Sequence, residues 1–225
     1  MSDHNNKVNC SLSVIAGDLS DLKEVVKQLD SSSCDYIHLD VMDGHFVPNL
    51  TFGFQTIGFL RGLTKKVFDT HLMISNPDRY IDNYIEAGSD IISVHVEAVK
   101  DVVPLLKHIR KSGKKASLAF NPETSIENIE SFFPHIDQIL IMSVHPGFAG
   151  QKFIEKTFER VAEVRKKIES SGYDIDIEVD GGVNQENVGL VKKKGANVLV
   201  AGSFALSPHE NKDKMELALK VMRED

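Results

Sequence analysis

Short apolar runs alternate along this chain with amphipathic stretches of helical period, and this regularity constrains the fold more than any other feature. Such alternation is typical of repeated βα units around a parallel sheet. Several runs are apolar at almost every position, as in strands that helices cover on both faces. The predicted strands, in chain order, are VNCSLS, YIHLDVM, KVFDTHLM, DIISVH, KASLAF, QILIMS, DIEVD and NVLVAG. We therefore predict an α/β protein built around a parallel sheet.

The stretches between these runs place their apolar residues on one helical stripe. Two such stripes are Leu22, Val25, Val26 and Leu29, and Phe158, Val161, Val164 and Ile168. The βα spacing is even, and no linker, charge block or change of composition divides the chain. We predict that residues 1–225 form a single domain, a (β/α)8 TIM barrel. A doubly wound sheet with the same order of elements is the alternative, because periodicity does not show whether a sheet closes.

Composition narrows the class of protein. The chain has 225 residues, of which 41% are hydrophobic, and a formal net charge of -7. This charge argues against general affinity for nucleic acid or an anionic membrane. No apolar run has the length of a transmembrane helix and the N-terminal residues are polar, so we expect a cytoplasmic protein. Cys10 and Cys34 have neither metal-ligand nor disulfide spacing, and we predict that both are buried thiols.

Reactive side chains fall where the predicted strands end. In a TIM barrel the carboxyl ends of the strands form the active face. His38, Asp40 and Met42 share one face of the second strand, because side chains alternate along a strand. Burying a histidine and a carboxylate there is costly unless they bind something. The polar residues predicted at this face are Ser13, His38, Asp40, His71 and Asp180.

Two histidines and two carboxylates from three strands form a plausible site for a divalent metal ion. The predicted ligands are His38, Asp40, His71 and Asp180. The candidate ions are Zn²⁺ and Fe²⁺, followed by Mn²⁺ and Co²⁺. His95 and Glu97, at the end of the fourth strand, could compete as ligands, but we assign them to the pocket wall or to the support of a ligand. Asp69 is predicted one layer deeper, where it would support a ligand.

Glycines follow the seventh and eighth predicted strands, in DGGV at residues 180–183 and AGS at residues 201–203. Glycine lets the backbone approach a ligand closely, and backbone N–H groups at a helix start favour anions. The loops after these two strands are where TIM barrels bind phosphate. The two motifs together therefore predict a phosphate site. The long loop VHPGFAGQKF, residues 144–153, could close over a bound ligand as a lid.

The motifs HLDVMDGHFVPN, DTHLM, HPGFAGQKF and EVDGGV occur in this order, and with them the chain resembles the ribulose-phosphate 3-epimerase family over nearly its whole length. The resemblance implies a (β/α)8 barrel isomerase of the pentose phosphate pathway. Such an enzyme interconverts D-ribulose 5-phosphate and D-xylulose 5-phosphate with one divalent metal ion. The implied partner is a small phosphosugar, with no nucleic acid or membrane partner. We also expect a homo-oligomer, whose number of subunits stays open.

Carried over residue by residue, the resemblance implies that Asp40 accepts a proton and Asp180 donates one, while both also bind the metal. Epimerisation beside a ketone needs such a pair, because the proton leaves one face of a planar enediolate and returns to the other. Three methionines would cap the pocket and exclude water, namely Met42, Met73 and Met142. The implied substrate-binding residues are Ser13, His71, Gly147, Phe148, Ala149, Gly150, Gly181, Gly182, Gly202 and Ser203. Of these, the last four would hold the phosphate, and residues 147–150 would form the closing loop.

Two positions depart from the family pattern. The family usually reads GFGG where this chain reads GFAG, so Ala149 would be strained if that position needs a positive φ. A proline commonly precedes the serine of the first strand, whereas this chain reads NCSLS, and Ser11 is therefore the alternative to Ser13.

Two other functions stay open. One is an epimerase of a six-carbon ketose phosphate, which would use the same metal and the same acid pair. The other is a non-catalytic phosphosugar-binding barrel. The presence of both Asp40 and Asp180 argues against this second function, because binding alone needs no acid pair.

Overall fold

Eight parallel strands close into a barrel in the computed structural model, which describes residues 8–207 and 212–224. The strands are β1 (Asn9–Ser13), β2 (Tyr36–Met42), β3 (Val67–Met73), β4 (Ile91–His95), β5 (Lys115–Phe120), β6 (Gln138–Met142), β7 (Asp176–Asp180) and β8 (Val198–Ala201). Each strand pairs with its neighbours in chain order, and β8 pairs with β1. The predicted (β/α)8 barrel is therefore confirmed, and closure of the sheet excludes the doubly wound alternative.

Helices connect the strands and cover the outside of the barrel. The α-helices are α1 (Leu22–Asp30), α2 (Phe54–Arg61), α3 (Ile81–Glu86), α4 (Val103–Lys111), α5 (Thr157–Ser171), α6 (Val188–Lys193) and α7 (Lys212–Arg223). Between β5 and β6 a 3-10 helix, Ile129–His135, takes the place of an α-helix. Pro134 lies inside this segment, and proline cannot donate the backbone hydrogen bond that a regular α-helix needs. Within the described part of the chain, no helix is long and apolar enough to span a membrane.

The main hydrophobic core lies between the strands and the helices. Both predicted stripes contribute buried residues to it, which are Val25, Val26, Leu29, Val161, Val164 and Ile168. From β2, Ile37, Leu39 and Val41 point outward into this core, because alternate side chains of a strand project to opposite faces. Cys10 and Cys34 are buried free thiols, as predicted.

Strand register sets the inward-pointing polar residues at matching levels. In the parallel pair of β2 and β3, Asp40 lies opposite His71, and His38 lies opposite Asp69. Residues paired in this way project to the same face of the sheet. Asp180 is the last residue of β7. The polar side chains therefore converge from three strands on the carboxyl end of the barrel, which is the face that carries active sites in this fold.

Candidate active site

Four side chains bring their ligand atoms to within 4.8 Å of one another, and they are His38, Asp40, His71 and Asp180. The Nε2 atom of His38 lies 3.4 Å from Asp40 Oδ1 and 3.8 Å from Asp180 Oδ2. The Nδ1 atom of His71 lies 3.5 Å from each of the same two oxygens. Tetrahedral ligands about 2.1 Å from one ion lie about 3.4 Å from each other. The observed spacing therefore fits four ligands around one divalent ion.

The two histidine nitrogens that face this cluster lie near carboxylate oxygens but make no hydrogen bond to them. His38 Nε2 and His71 Nδ1 are buried, and neither makes a hydrogen bond within the described residues. An unpaired buried polar atom costs about 1–3 kcal/mol, so proteins rarely leave two of them side by side. Both atoms are lone-pair donors at the spacing of metal ligands. The side chains present thus fit the metal ion that the sequence predicts.

The electrostatics of the cluster also favour a cation. Burial disfavours the protonated form of His38, but the charges of Asp40 and Asp69 raise the pKa of this histidine well above its usual value. Burial likewise opposes protonation of His71, but Asp180 and Asp40 raise the pKa of this histidine. Burial would raise the pKa of Asp40, yet the two histidines lower it. The carboxylates therefore create a strong negative potential in a buried place, which a bound metal ion would neutralise.

Asp69 fixes the orientation of the His38 ring from below. His38 Nδ1 lies 2.8 Å from Asp69 Oδ2, and the Ser11 hydroxyl donates to the same oxygen at 2.9 Å. A histidine that donates from Nδ1 keeps Nε2 free to bind a metal. Asp69 therefore supports a candidate ligand one layer deeper, as the strand periodicity predicts. Ser11 belongs to this deeper layer, whereas Ser13 lies at the mouth.

Ser13 orients the carboxylate of Asp40. The Ser13 hydroxyl donates to Asp40 Oδ2 at 2.6 Å, while Asp40 Oδ1 faces both histidines. The two oxygens of this carboxylate thus have different surroundings, since one faces the candidate ligand cluster and the other accepts a hydrogen bond from a side chain that lines the cavity.

His95 and Glu97 lie behind His71 rather than within the four-residue cluster. His71 Nε2 is 2.8 Å from His95 Nε2, and His95 Nδ1 is 3.0 Å from Glu97 Oε2. Burial lowers the pKa of His95 to about 4, so this ring is neutral near pH 7. Burial would raise the pKa of Glu97, but hydrogen bonds from His95 and Thr124 lower it to about 2. This arrangement agrees with the assignment of both residues to the support of a ligand.

A cavity of about 320 Å³ opens at the carboxyl end of the barrel, directly over the two aspartates of the cluster. Its volume lies within the usual range for small-ligand sites, about 300–1,000 Å³. Asp40 and Asp180 line it, whereas His38 and His71 are fully buried behind them. The other predicted site residues that line it are Ser13, Met42, Met73, Met142, Gly147, Phe148, Ala149, Gly150, Gly181, Gly182, Gly202 and Ser203.

The three methionines of the cavity wall belong to two small clusters that are separate from the main core. Met42 and Met73 pack with Val47, and Met142 packs with Val144. Methionine is flexible and polarizable and has no proton to donate, so these side chains form an apolar wall beside the carboxylates.

The glycine motifs after β7 and β8 also line the cavity. Gly181 and Gly182 have φ values of 116° and 64°, a region that side chains strongly disfavour. A Cβ at Gly182 would also lie 2.9 Å from the backbone of Gln151 and Phe153. The amide N–H groups of four lining residues donate to no protein acceptor within the described residues, namely Gly182, Val183, Ser203 and Phe204. These groups can accept an anion by backbone hydrogen bonds alone.

The loop predicted to act as a lid, residues 144–153, lines the cavity and is held by side-chain hydrogen bonds. Asn49 Nδ2 donates to the Gly147 carbonyl at 2.7 Å, and Gln151 Nε2 donates to the Phe148 carbonyl at 2.9 Å. Gly147 and Gly150 have positive φ, but no described residue other than glycine does. Ala149 is therefore not strained in this conformation, and the substitution relative to the family pattern has no backbone cost here.

Sequence reasoning missed part of the buried polar network. Glu178 is fully buried, with Oε1 lying 3.5 Å from His38 Nδ1, and Gln138 Nε2 donates to Glu178 Oε2 at 2.5 Å. Both side chains point into the barrel below the candidate metal site. The alternation of side chains along β7 could have predicted Glu178, because it lies two residues before Asp180 and therefore points to the same face. Asn49 was also missed, since its role depends on a loop conformation.

Comparisons with known proteins place the chain in a family. The sequence model described as the ribulose-phosphate 3 epimerase family matches residues 9–206. Ribulose-phosphate 3-epimerase of Bacillus subtilis (strain 168) is 43% identical over 201 residues, covering 89% of this chain and 93% of that protein. The enzyme of the same name from Synechocystis sp. is 46% identical over 193 residues, covering 85% of this chain and 84% of its relative.

Solved structures with little sequence similarity share the fold. The crystal structure of KGPDC from Streptococcus mutans has a TM-score of 0.68 at 14% identity, and the match covers 96% of this chain and 95% of that chain. This likeness shows the barrel architecture alone.

The barrel, its site and its relatives together define an isomerase of the epimerase class. More narrowly, the chain belongs to the ribulose-phosphate 3-epimerase family. The family supports pentose-phosphate epimerase activity and implies a small phosphosugar substrate.

Proposed function

We propose that this protein interconverts D-ribulose 5-phosphate and D-xylulose 5-phosphate by proton transfer at C3 through an enediolate. The observation that carries the proposal is the position of Asp40 and Asp180, which line one cavity and face the same pair of buried histidines. They come from β2 and β7, two strands that are not neighbours in the barrel. A sugar bound between them would present one face to each carboxylate.

In this proposal the two aspartates and the two histidines hold one divalent ion, with Zn²⁺ and Fe²⁺ preferred over Mn²⁺ and Co²⁺. The unpaired atoms His38 Nε2 and His71 Nδ1 support this ligand set. When bound, the ion would supply Lewis-acid stabilisation of negative charge on the substrate oxygens.

Asp40 removes the C3 proton of D-ribulose 5-phosphate, and Asp180 returns a proton to the opposite face. Ser13 holds the Asp40 carboxylate at 2.6 Å and so limits its rotation as the proton moves. Positioned acid and base groups of this kind typically contribute about 10²–10⁴-fold to a rate. The methionine wall excludes water, which keeps other proton donors away from the enediolate. The product is D-xylulose 5-phosphate, and the reverse reaction exchanges the two roles.

The phosphate group lies on the backbone at Gly181, Gly182, Gly202 and Ser203 in this proposal. Its support is the unpaired N–H groups of Gly182 and Ser203 and of the residues that follow them, Val183 and Phe204. Binding energy from the phosphate, which does not react, would be used to position the sugar between the two carboxylates.

Gly202→Val is expected to weaken binding of the phosphosugar and to leave the metal in place. An added Cβ at Gly202 meets only Ala16 Cβ, at 3.5 Å, so the barrel accommodates the change, whereas Gly182 offers no such space. The branched side chain would occupy part of the proposed phosphate position and lower kcat/KM for D-ribulose 5-phosphate about 100-fold, mainly through KM. Steady-state kinetics and metal analysis measure both quantities. Turnover of phosphate-free D-ribulose is the control, and an equal loss there would contradict the phosphate assignment.

A substrate panel tests the proposed function itself. The purified protein is given D-ribulose 5-phosphate, a six-carbon ketose phosphate and phosphate-free D-ribulose, and epimer formation is followed by NMR. We expect D-ribulose 5-phosphate to have the highest kcat/KM. A higher value for the six-carbon substrate would replace the proposal with the related epimerase function, and no epimerisation of any of them would refute it.

A further inference from the structure

We propose that His95 and Glu97 are positioning residues that fix the tautomer of His71 and so keep its Nδ1 atom free to bind the metal ion. The inference rests on the proposed metal site and assigns it two further functional residues. Neither residue belongs to the four-residue cluster, and neither lines the cavity. Their influence on the site would therefore pass through His71.

The two ring nitrogens of His71 face different groups. Nδ1 faces the two carboxylates and has no hydrogen-bond partner within the described residues, whereas Nε2 lies 2.8 Å from His95 Nε2. A neutral histidine carries one proton, on either nitrogen. Only the tautomer with the proton on Nε2 leaves a lone pair on Nδ1. His95 selects this tautomer if its own Nε2 is an acceptor.

Glu97 makes His95 an acceptor at Nε2. Its Oε2 lies 3.0 Å from His95 Nδ1, and a carboxylate at this distance requires the proton to sit on Nδ1. With its proton on Nδ1, the His95 ring presents the lone pair of Nε2 to His71 Nε2, 2.8 Å away. The direction of donation is therefore the same along the chain, from His71 to His95 to Glu97.

At the far end of this chain of hydrogen bonds, a backbone N–H and a hydroxyl hold Glu97 in place. Glu97 Oε1 accepts from the Asn121 amide N–H at 2.9 Å and from the Thr124 hydroxyl. Arg160 donates to the Asn121 and Thr124 carbonyls, at 3.1 and 2.7 Å, and so braces that loop. A backbone N–H can only donate, so the group that receives it must be an acceptor. Glu97 Oε1 is thus fixed as an acceptor, and Oε2 is an acceptor as well because the ionised carboxylate carries no proton.

Ring packing restricts His95 to this orientation. The His95 and His71 rings are nearly coplanar, with centroids 5.0 Å apart and an interplanar angle of 25°, as a hydrogen bond between their Nε2 atoms requires. Phe46 packs against His95, with centroids 4.7 Å apart. The ring is fully buried, so water does not offer a replacement acceptor for His71. Asp40 and Asp180 each place an oxygen 3.5 Å from His71 Nδ1 and would draw the proton to that nitrogen, and the chain of hydrogen bonds opposes them by accepting the proton at Nε2.

The first test compares His95→Leu with His95→Gln by competition of each apo-protein with a chromogenic chelator for Zn²⁺. Leucine removes the acceptor, and we expect the affinity for Zn²⁺ to fall about 10–100-fold, which is the usual range for such a partner of a metal-binding histidine. Glutamine has a carbonyl oxygen near the position of Nε2 and should restore most of the affinity. Equal losses in the two variants would assign His95 to packing, and unchanged affinity in the leucine variant would also overturn the proposal.

The second test uses Glu97, whose side chain is 24% exposed and whose replacement leaves the buried ring in place. In Glu97→Gln the amide oxygen must face the Asn121 N–H, so the NH₂ group faces His95 Nδ1. His95 would then carry its proton on Nε2, against His71, and would move the His71 proton to the metal-binding nitrogen. In Glu97→Ala a water molecule can accept from His95 instead. We therefore expect the isosteric glutamine variant to bind Zn²⁺ at least 10-fold more weakly than the alanine variant.

The control for this pair is Glu127→Gln, the same change at an exposed residue outside the chain of hydrogen bonds, and it should bind Zn²⁺ like the wild type. Equal affinities of the two Glu97 variants would overturn the tautomer assignment. At saturating Zn²⁺ the glutamine variant should recover its kcat, with KM for the phosphosugar unchanged. A wild-type protein that binds no divalent ion would instead refute the proposed metal site itself, so the two failures are distinguishable.

Discussion

Asp180→Asn is expected to lower epimerisation of D-ribulose 5-phosphate about 10³-fold while exchange of its C3 hydrogen with solvent continues. Asp40 remains available to remove the proton from this epimer, but no acid is left to return one to the opposite face. Deuterium incorporation at C3 in D₂O, followed by NMR, measures exchange separately from formation of D-xylulose 5-phosphate. The expected result is labelled D-ribulose 5-phosphate with very little of the other epimer.

Asp40→Asn should give the mirror-image result, in which exchange persists only from D-xylulose 5-phosphate. Both residues are proposed ligands, so the metal content of each variant must be measured before the rates are compared. Asp176→Asn is the matched control, because Asp176 lies at the other end of β7, where it accepts from Asn197 and pairs with Lys115. Equal residual exchange from both epimers in both metal-loaded variants would contradict the assignment of two acids and favour a single base or a bound water.

His38→Ala and His71→Ala are expected to lose the bound metal ion and, with it, about 10³-fold or more of the turnover. Each change removes one of four proposed ligands, and each removes one of the two unpaired nitrogens of the cluster. Both rings are fully buried, so the thermal stability of each variant should be recorded beside its metal content, measured by elemental analysis.

The same substitution at His108, an exposed residue of α4 that pairs with Asp82, is the matched control and should retain both metal and activity. A His38→Ala or His71→Ala protein that remains folded and holds a full equivalent of metal would exclude that histidine from the ligand set.

Much of the fold could be predicted because the local signals agree with the final structure. The runs KASLAF and DIEVD are β5 and β7 without a shift at either end, since each apolar run is bounded by polar or turn residues. Periodicity alone leaves a doubly wound sheet open beside the predicted barrel, because closure depends on the pairing of β1 with β8, such as Cys10 with Leu199, across the whole length of the chain. The 3-10 helix before β6 also departs from the even βα pattern, because Pro134 cannot donate the backbone hydrogen bond of a regular α-helix.

The candidate site could be predicted where it depends on strand parity. His38, Asp40 and His71 lie at positions whose side chains point inward, and the register of β2 and β3 then sets them side by side. Parity does not show which inward residues contact each other across non-adjacent strands, so the approach of Glu178 to His38 was missed. Backbone angles are equally hidden, which is why the φ of Ala149 became known only from the structure.

The most direct test of the proposed metal-dependent function is the conversion of D-ribulose 5-phosphate by one preparation before chelation, after chelation and after reloading with Zn²⁺, Fe²⁺, Mn²⁺ or Co²⁺. We expect D-xylulose 5-phosphate formation by the untreated protein, its loss with the metal, and its return with at least one of these ions, because the four-residue cluster is the proposed ion site and includes both proposed acids. Full conversion by a demonstrably metal-free protein would contradict it.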